Sequence, residues 1–177
     1  MMEKSFFAGF GGQGIVSLGQ IWVYFAMKEG KNVTFFPFYG AEKRGGIARA
    51  SVIVSDNEIA SPLVTTADSV LVMNSDSLPV CEKILKDDGL MVINSTLVKE
   101  KPRQNNIRAI YLEASALAEQ IGHVRFANMV ALGAMARLTG ALALTEMDTI
   151  LENFFPPGKH GLIAKNAEAI RAGYTAV

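Results

Sequence analysis

Residues 9–20 read GFGGQGIVSLGQ, with four glycines in the first six positions and then apolar residues at helical spacing. Ile15, Leu18, Trp22 and Phe25 recur at i, i+3, i+7 and i+10, which places them on one face of a helix. Gly30 closes that helix. Upstream, KSFFAGF (4–10) is short and apolar, so the stretch reads as strand, glycine turn and helix. Gly9, Gly11 and Gly14 satisfy G-x-G-x-x-G in that setting. Glycines there let backbone N–H groups close on a phosphate, and the helix N-terminus adds partial positive charge. A dinucleotide site also needs an acidic residue at the end of the second strand to hold the ribose. Here that strand ends in FFPFYG (35–40), and Glu29, at about the right offset, lies at the end of the helix. No Gly-Lys-Ser/Thr follows, so a P-loop is excluded. The glycines keep two readings: an anion site, or close packing of helix on sheet.

Outward from this turn the pattern alternates. NVTFFPFYG (32–40) is an apolar strand that Pro37 keeps out of a central ladder. RASVIVSD (49–56) is a strand, and SDNEIASP (55–62) predicts a turn with a short extension that forms a hairpin and makes the sheet mixed. DSVLVMNSD (68–76) and GLMVINS (89–95) are continuous apolar runs, as in strands covered on both faces. Between them a helix starts at Asp76 or Ser77, carries Pro79 in its first turn and ends at Gly89. NIRAIYLEAS (106–115) is a strand leading into the short helix SALAEQIG (115–122). RFANMVALGAMARLTGAL (125–142) is apolar nearly all round, hence a buried helix. A helix from Thr145 has Met147, Ile150, Leu151 and Phe154 inward, and LIAKNAEAIRAGY (162–174) is a last amphipathic helix. The expected architecture is α/β, a single three-layer α/β/α domain over 1–177 with a mixed, mostly parallel sheet.

The chemistry-bearing residues are few. Lys plus Arg equals Asp plus Glu at 17 each, so no net charge attracts nucleic acid or an anionic membrane. A neutral, half-hydrophobic chain predicts self-association when alone. Cys81 is the one cysteine, too few for a cluster that takes about four, and it reads as a small buried apolar residue. His123 and His160 have no metal-ligand spacing. The longest apolar stretch, 128–144, is broken by Arg137 and shorter than the roughly 20 residues of a membrane span. With no signal peptide, the chain reads as cytoplasmic. No nucleophile–base pair is evident. One further cluster stands out: YGAEKRGGIARA (39–50) gathers Glu42, Lys43, Arg44 and Arg49 around Gly45 and Gly46. Arg44 beside flexible backbone suits bidentate contact with a carboxylate or phosphate. Loops after the first two strands share one end of such a sheet, so the two glycine loops are expected to meet.

Together these stretches resemble the gamma subunit of the 2-oxoacid:ferredoxin oxidoreductases, of the 2-oxoglutarate/2-ketoacid type; the family also includes pyruvate enzymes. The resemblance runs in order through Gly9–Gly14, Tyr39–Gly46, Ser55–Pro62 and Ala67–Asp68, with Asn128, Gly133 and Ala134 matching a later part. Ala41 stands where many relatives have Pro. The resemblance implies a holoenzyme that decarboxylates a 2-oxoacid oxidatively to an acyl-CoA and passes electrons to ferredoxin. It implies alpha, beta and in some cases delta partner chains, with thiamine diphosphate and iron–sulfur clusters on those partners. The gamma chain is then a non-catalytic subunit, inactive alone, on the coenzyme A side of the site. On that basis Gly11, Gly12, Gln13 and Gly14, with Tyr39, Glu42, Arg44, Gly45 and Gly46, are the expected CoA or interface loops. VTFFPFYG (33–40) is the candidate partner patch. The alternative is an independent NAD(P)- or flavin-binding oxidoreductase.

Overall fold

A computed structural model describes residues 1–38 and 46–177. The chain runs β1 (Met2–Phe10), α1 (Ile15–Lys28), β2 (Asn32–Phe38), β3 (Ile47–Ser55), β4 (Ala67–Val72), α2 (Leu78–Ile84), β5 (Leu85–Asn94), β6 (Arg108–Leu112), α3 (Ala114–Ile121), α4 (Ala127–Thr139), α5 (Met147–Phe154) and α6 (Ile163–Thr175). The strands form one sheet in the order β2-β3-β1-β4-β5-β6. β1, β4, β5 and β6 are parallel neighbours. β3 is antiparallel to both β1 and β2, so β2 points the same way as β1. The expected mixed, mostly parallel α/β sheet is found.

The origin of the mixed sheet differs from the sequence expectation. Residues 56–66 form no strand; β3 itself reverses direction and inserts between β2 and β1. Asp56 instead closes the sheet margin, its N–H donating to the Met1 carbonyl at 3.0 Å and its carboxylate pairing with the N-terminal ammonium at 2.5 Å. The helix before β5 is also shorter than expected. It stops at Ile84 because Leu85 turns extended at ψ 132°. Gly89 therefore caps nothing. Asp88 takes a positive φ of 58° and its N–H bonds the Asn106 carbonyl at 2.7 Å, so the polar run 86–88 folds as an irregular entry to β5. α5 begins at Met147, two residues after Thr145.

The two faces of the sheet are covered unequally. One face carries α1, α3, α4, α5 and α6 over a large core that includes Phe7, Trp22, Phe25, Leu71, Met129 and Ile170. The predicted α1 face is buried throughout, and α4 is buried from Ala127 to Ala136, as its all-round apolar sequence required. Among the described residues, the other face carries only the seven-residue α2 and flanking segments, over Phe6, Ala8, Val70, Val72, Cys81, Met91 and Ile93. Cys81 is fully buried there, its thiol directed at the Leu71 carbonyl, and burial pushes its pKa far up. Pro37 sits on β2, an edge strand, where its missing donor is tolerated.

Candidate functional site

β1 delivers the glycine turn to the end of the sheet where the order reverses. The chain leaves β1 toward β2 on one side and returns to β4 on the other, so residues 11–14 stand at the topological switch point. Gly12 and Gly14 adopt positive φ of 104° and 71°, which a side chain would strain. Gly14 caps α1 with no side-chain hydrogen bond, and no acidic residue lies in the first turn. The opening N–H groups of α1 thus have no capping side chain, and their partial positive charge faces an exposed turn at Gly11 and Gly12.

Of the second glycine loop only Gly46 is described, and it pairs with the first. The Gly11 N–H donates to the Gly46 carbonyl at 3.1 Å, joining the turn after β1 to the residue that opens β3. Tyr39, Glu42, Arg44 and Gly45 lie outside the described residues. Of the expected site, the structure therefore brings together Gly11, Gly12, Gln13, Gly14 and Gly46.

Gln13 is an internal strut. Its Oε1 accepts from the Phe10 N–H at 2.9 Å and its Nε2 donates to the Met73 carbonyl at 3.0 Å. The side chain spans the crevice between β1 and β4, with both ends engaged. Gly9 makes room for it, since a Cβ there would lie 2.5 Å from Gln13 Oε1. Asn128 holds the other side of the turn: its Nδ2 donates to the Gly14 carbonyl at 3.2 Å and its Oδ1 accepts from the Met129 N–H at 2.9 Å. The position matched through the family resemblance is thus a brace between α4 and the turn. Sequence spacing could not show it, because 114 residues separate the pair.

The dinucleotide reading finds no support in this geometry. Glu29, the nearest acidic candidate, accepts from the Ala143 N–H at 2.8 Å and pairs with Lys31 at 2.7 Å, and both side chains are largely buried. It ties α1 to the segment after α4 and is not available to a ribose. The two histidines serve the backbone: His123 Nδ1 accepts from the Arg125 N–H at 3.0 Å, and His160 Nε2 lies 2.9 Å from the Phe155 carbonyl. Among the described residues no group of three His, Cys, Asp or Glu could hold a metal ion. Among the described residues no helix is long and apolar enough to cross a membrane.

The later shared motifs lie at the opposite end of the sheet. Asp68 accepts from the Lys4 N–H at 2.9 Å and from Lys86 Nζ at 2.6 Å, linking β1, β4 and β5. Ser55 accepts from the Asn57 N–H at 3.0 Å. These positions shape the scaffold. The glycine turn is exposed at the carboxyl ends of the parallel strands.

The pyruvate ferredoxin/flavodoxin oxidoreductase family model matches residues 4–176. The chain belongs to this family. Subunit VorA of ketoisovalerate oxidoreductase from Methanothermobacter marburgensis is 34% identical over 168 residues, covering 94% of this chain. This chain spans only about a third, 34%, of VorA's length. Subunit KorC of 2-oxoglutarate synthase from the same organism is 32% identical, covering 98% of this chain and 95% of KorC. Among solved structures, a keto/oxoacid ferredoxin oxidoreductase gamma subunit from Geobacter sulfurreducens superposes with a TM-score of 0.85 at 27% identity, over 99% of this chain and 96% of that one. Within the oxidoreductase family, this fold therefore occurs both as a separate subunit and as part of a longer chain.

Proposed function

We propose that this chain is the gamma subunit of a multi-subunit 2-oxoacid:ferredoxin oxidoreductase, an enzyme that converts a 2-oxoacid and coenzyme A to an acyl-CoA with electron transfer to ferredoxin. The observation that carries the reading is end-to-end similarity to KorC, a subunit of nearly the same length. Thiamine diphosphate and the iron–sulfur clusters belong, in this reading, to the alpha and beta chains, with a delta chain in some assemblies. The complex works in the cytoplasm.

The chain's own part is played at the carboxyl ends of the strands. The exposed Gly12, the left-handed Gly14 and the uncapped start of α1 offer N–H donors and positive dipole to a phosphate oxygen. The donor set fits the diphosphate of coenzyme A. Arg44, in the same sequence stretch as Tyr39, Glu42, Gly45 and Gly46, is the cation this reading assigns to bidentate contact. Gln13 and Asn128 hold the turn in shape and do not themselves touch ligand. The same loops serve as a docking edge toward the catalytic chains.

Purification of the native assembly tests the subunit reading. Larger chains with thiamine diphosphate and iron–sulfur clusters, and 2-oxoacid- and CoA-dependent reduction of ferredoxin, are expected. A solitary chain that binds NAD(P) would overturn it. Arg44→Ala in the assembled enzyme is expected to raise KM for coenzyme A about tenfold, the loss of one charge-assisted contact worth roughly 1.5 kcal/mol. Unchanged CoA kinetics together with unchanged assembly would remove Arg44 from the site.

A further inference from the structure

Two helices begin at the same corner of the molecule. α1 starts at the glycine turn, and Asn128, in the first turn of α4, donates from Nδ2 to the Gly14 carbonyl at 3.2 Å. The approach is tight, since a Cβ at Gly14 would overlap the Asn128 amide. A single 3-10 turn, Val124–Phe126, runs without a break into α4, and Phe126 and Ala127 both keep right-handed helical backbone. Residues three apart on such a run share one side, so Arg125 stands over Asn128, about 5–6 Å nearer the N-terminal end. Helical side chains lean toward the N-terminus of their helix, which carries the Arg125 guanidinium outward beside the turn. Arg125 is exposed. Its backbone is pinned, because its N–H donates to His123 Nδ1 at 3.0 Å. Its guanidinium carbon lies 5.7 Å from the centre of the ring of Phe126, a buried platform that orients the planar fork. Neither the core nor the phosphate contact of the glycine turn uses this cation.

We propose that Arg125 binds the phosphate on the ribose of coenzyme A and is the residue by which this subunit distinguishes coenzyme A from its dephospho form. The inference rests on the subunit reading above and adds a specificity-determining residue to the same site. Coenzyme A carries phosphate in two places, a diphosphate and a monoester on the 3′ carbon of its ribose. A site that recognises the whole molecule answers two separated anions. With the diphosphate at the glycine turn, the second anion lies one ribose away, a separation of the same order as the single helical turn between Asn128 and Arg125. A phosphate monoester carries about 1.5–2 negative charges at neutral pH and presents the oxygens that a guanidinium fork meets in pairs. The positive end of the α4 dipole acts in the same direction. The Asn128 brace then has a second consequence: it fixes the interval between the donors of the turn and the Arg125 cation.

The test is steady-state kinetics of the purified holoenzyme with coenzyme A and with 3′-dephospho-coenzyme A, for the parent, Arg125→Ala and Arg125→Lys. The parent should favour coenzyme A in kcat/KM by about tenfold or more, through KM, as expected for one charge-assisted contact. Arg125→Ala should bring that preference to within about twofold of unity, and Arg125→Lys, which keeps the charge and loses the fork, should fall between the two. A purely structural role for Arg125 would weaken both substrates alike and leave the ratio in place. A parent without the preference, or an Arg125→Ala enzyme that keeps it, would overturn the assignment of Arg125 and leave the subunit reading intact. A native assembly without coenzyme A-dependent turnover would overturn both.

Discussion

Gly133 and Gly173 set the distance between α4 and α6, and Gly133→Ala measures what that closeness is worth. A Cβ at Gly133 would lie 2.8 Å from the Ile170 carbonyl carbon and 2.9 Å from the Tyr174 amide nitrogen, and would overlap the Ile170 carbonyl oxygen. Gly173 makes the reciprocal approach to the Val130 carbonyl. Every atom struck is backbone, so no rotamer change relieves the clash. α6 must move away by on the order of 1 Å, a gap that forfeits a quarter to a half of the dispersion well for the atoms it separates. Overpacking of this kind costs about 1–3 kcal/mol, and a rigid backbone target puts the cost near the upper figure. Alanine recovers about 1 kcal/mol of helix propensity. The net expectation is a loss of about 2 kcal/mol. For a chain of this size that lowers Tm by roughly 4–8 °C. Urea unfolding should show a lower midpoint at unchanged slope. Gly158→Ala is the control, because a Cβ there meets nothing within 4 Å, and it should stay within about 0.5 kcal/mol of the parent. A Gly133→Ala chain as stable as the parent would refute the close-approach account of α4 and α6.

Three further outcomes follow from the Gln13 strut and the buried charge. Gln13→Ala removes one bond to an exposed N–H and one to the carbonyl of buried Met73, so stability should fall by about 1–2 kcal/mol in urea titration. Gln13→Glu should fall at least as far at neutral pH, since a carboxylate cannot donate to the Met73 carbonyl. Burial raises the pKa of Glu3 against weaker lowering by its hydrogen bond with Ser69. Its folded-state pKa therefore exceeds the unfolded one, so the folded state binds the extra proton between them. Glu3 weakens stability above its folded pKa, and this penalty fades as pH falls toward the ordinary carboxylate range. Glu3→Gln should accordingly melt higher than the parent at pH 8, with the difference vanishing near pH 4; a constant difference across that range, followed by thermal melts, would contradict the assignment.

The local elements were legible because their burial is written in short periods. Ile15, Leu18, Trp22 and Phe25 mark a single helical stripe, and all four are buried. The continuous apolar runs at 70–72 and 90–93 fall in β4 and β5, covered on both faces. The glycine turn was legible as a turn for the same reason: four glycines in six residues between a strand and a helix leave little else. Boundaries failed where polar residues were recruited by a distant partner. Lys86, Asp87 and Asp88 read as the end of a helix, yet Asn106 pins Asp87 and Asp88 into the entry to β5.

The sequence by itself determined the α/β class, the helical stripes, the glycine turn and the kinship with the gamma subunits, because each depends on residue types within one or two turns of chain or on an ordered set of motifs. Only the tertiary structure decided that β3 reverses between β2 and β1, that Gln13 closes the switch-point crevice, that Asn128 braces Gly14, and that Phe10, Phe36 and Phe38 share one face of the sheet. Strand neighbours and their direction are global properties. A buried antiparallel strand and a buried parallel one carry the same apolar run, and the hydrogen bonds that distinguish them join residues far apart along the chain.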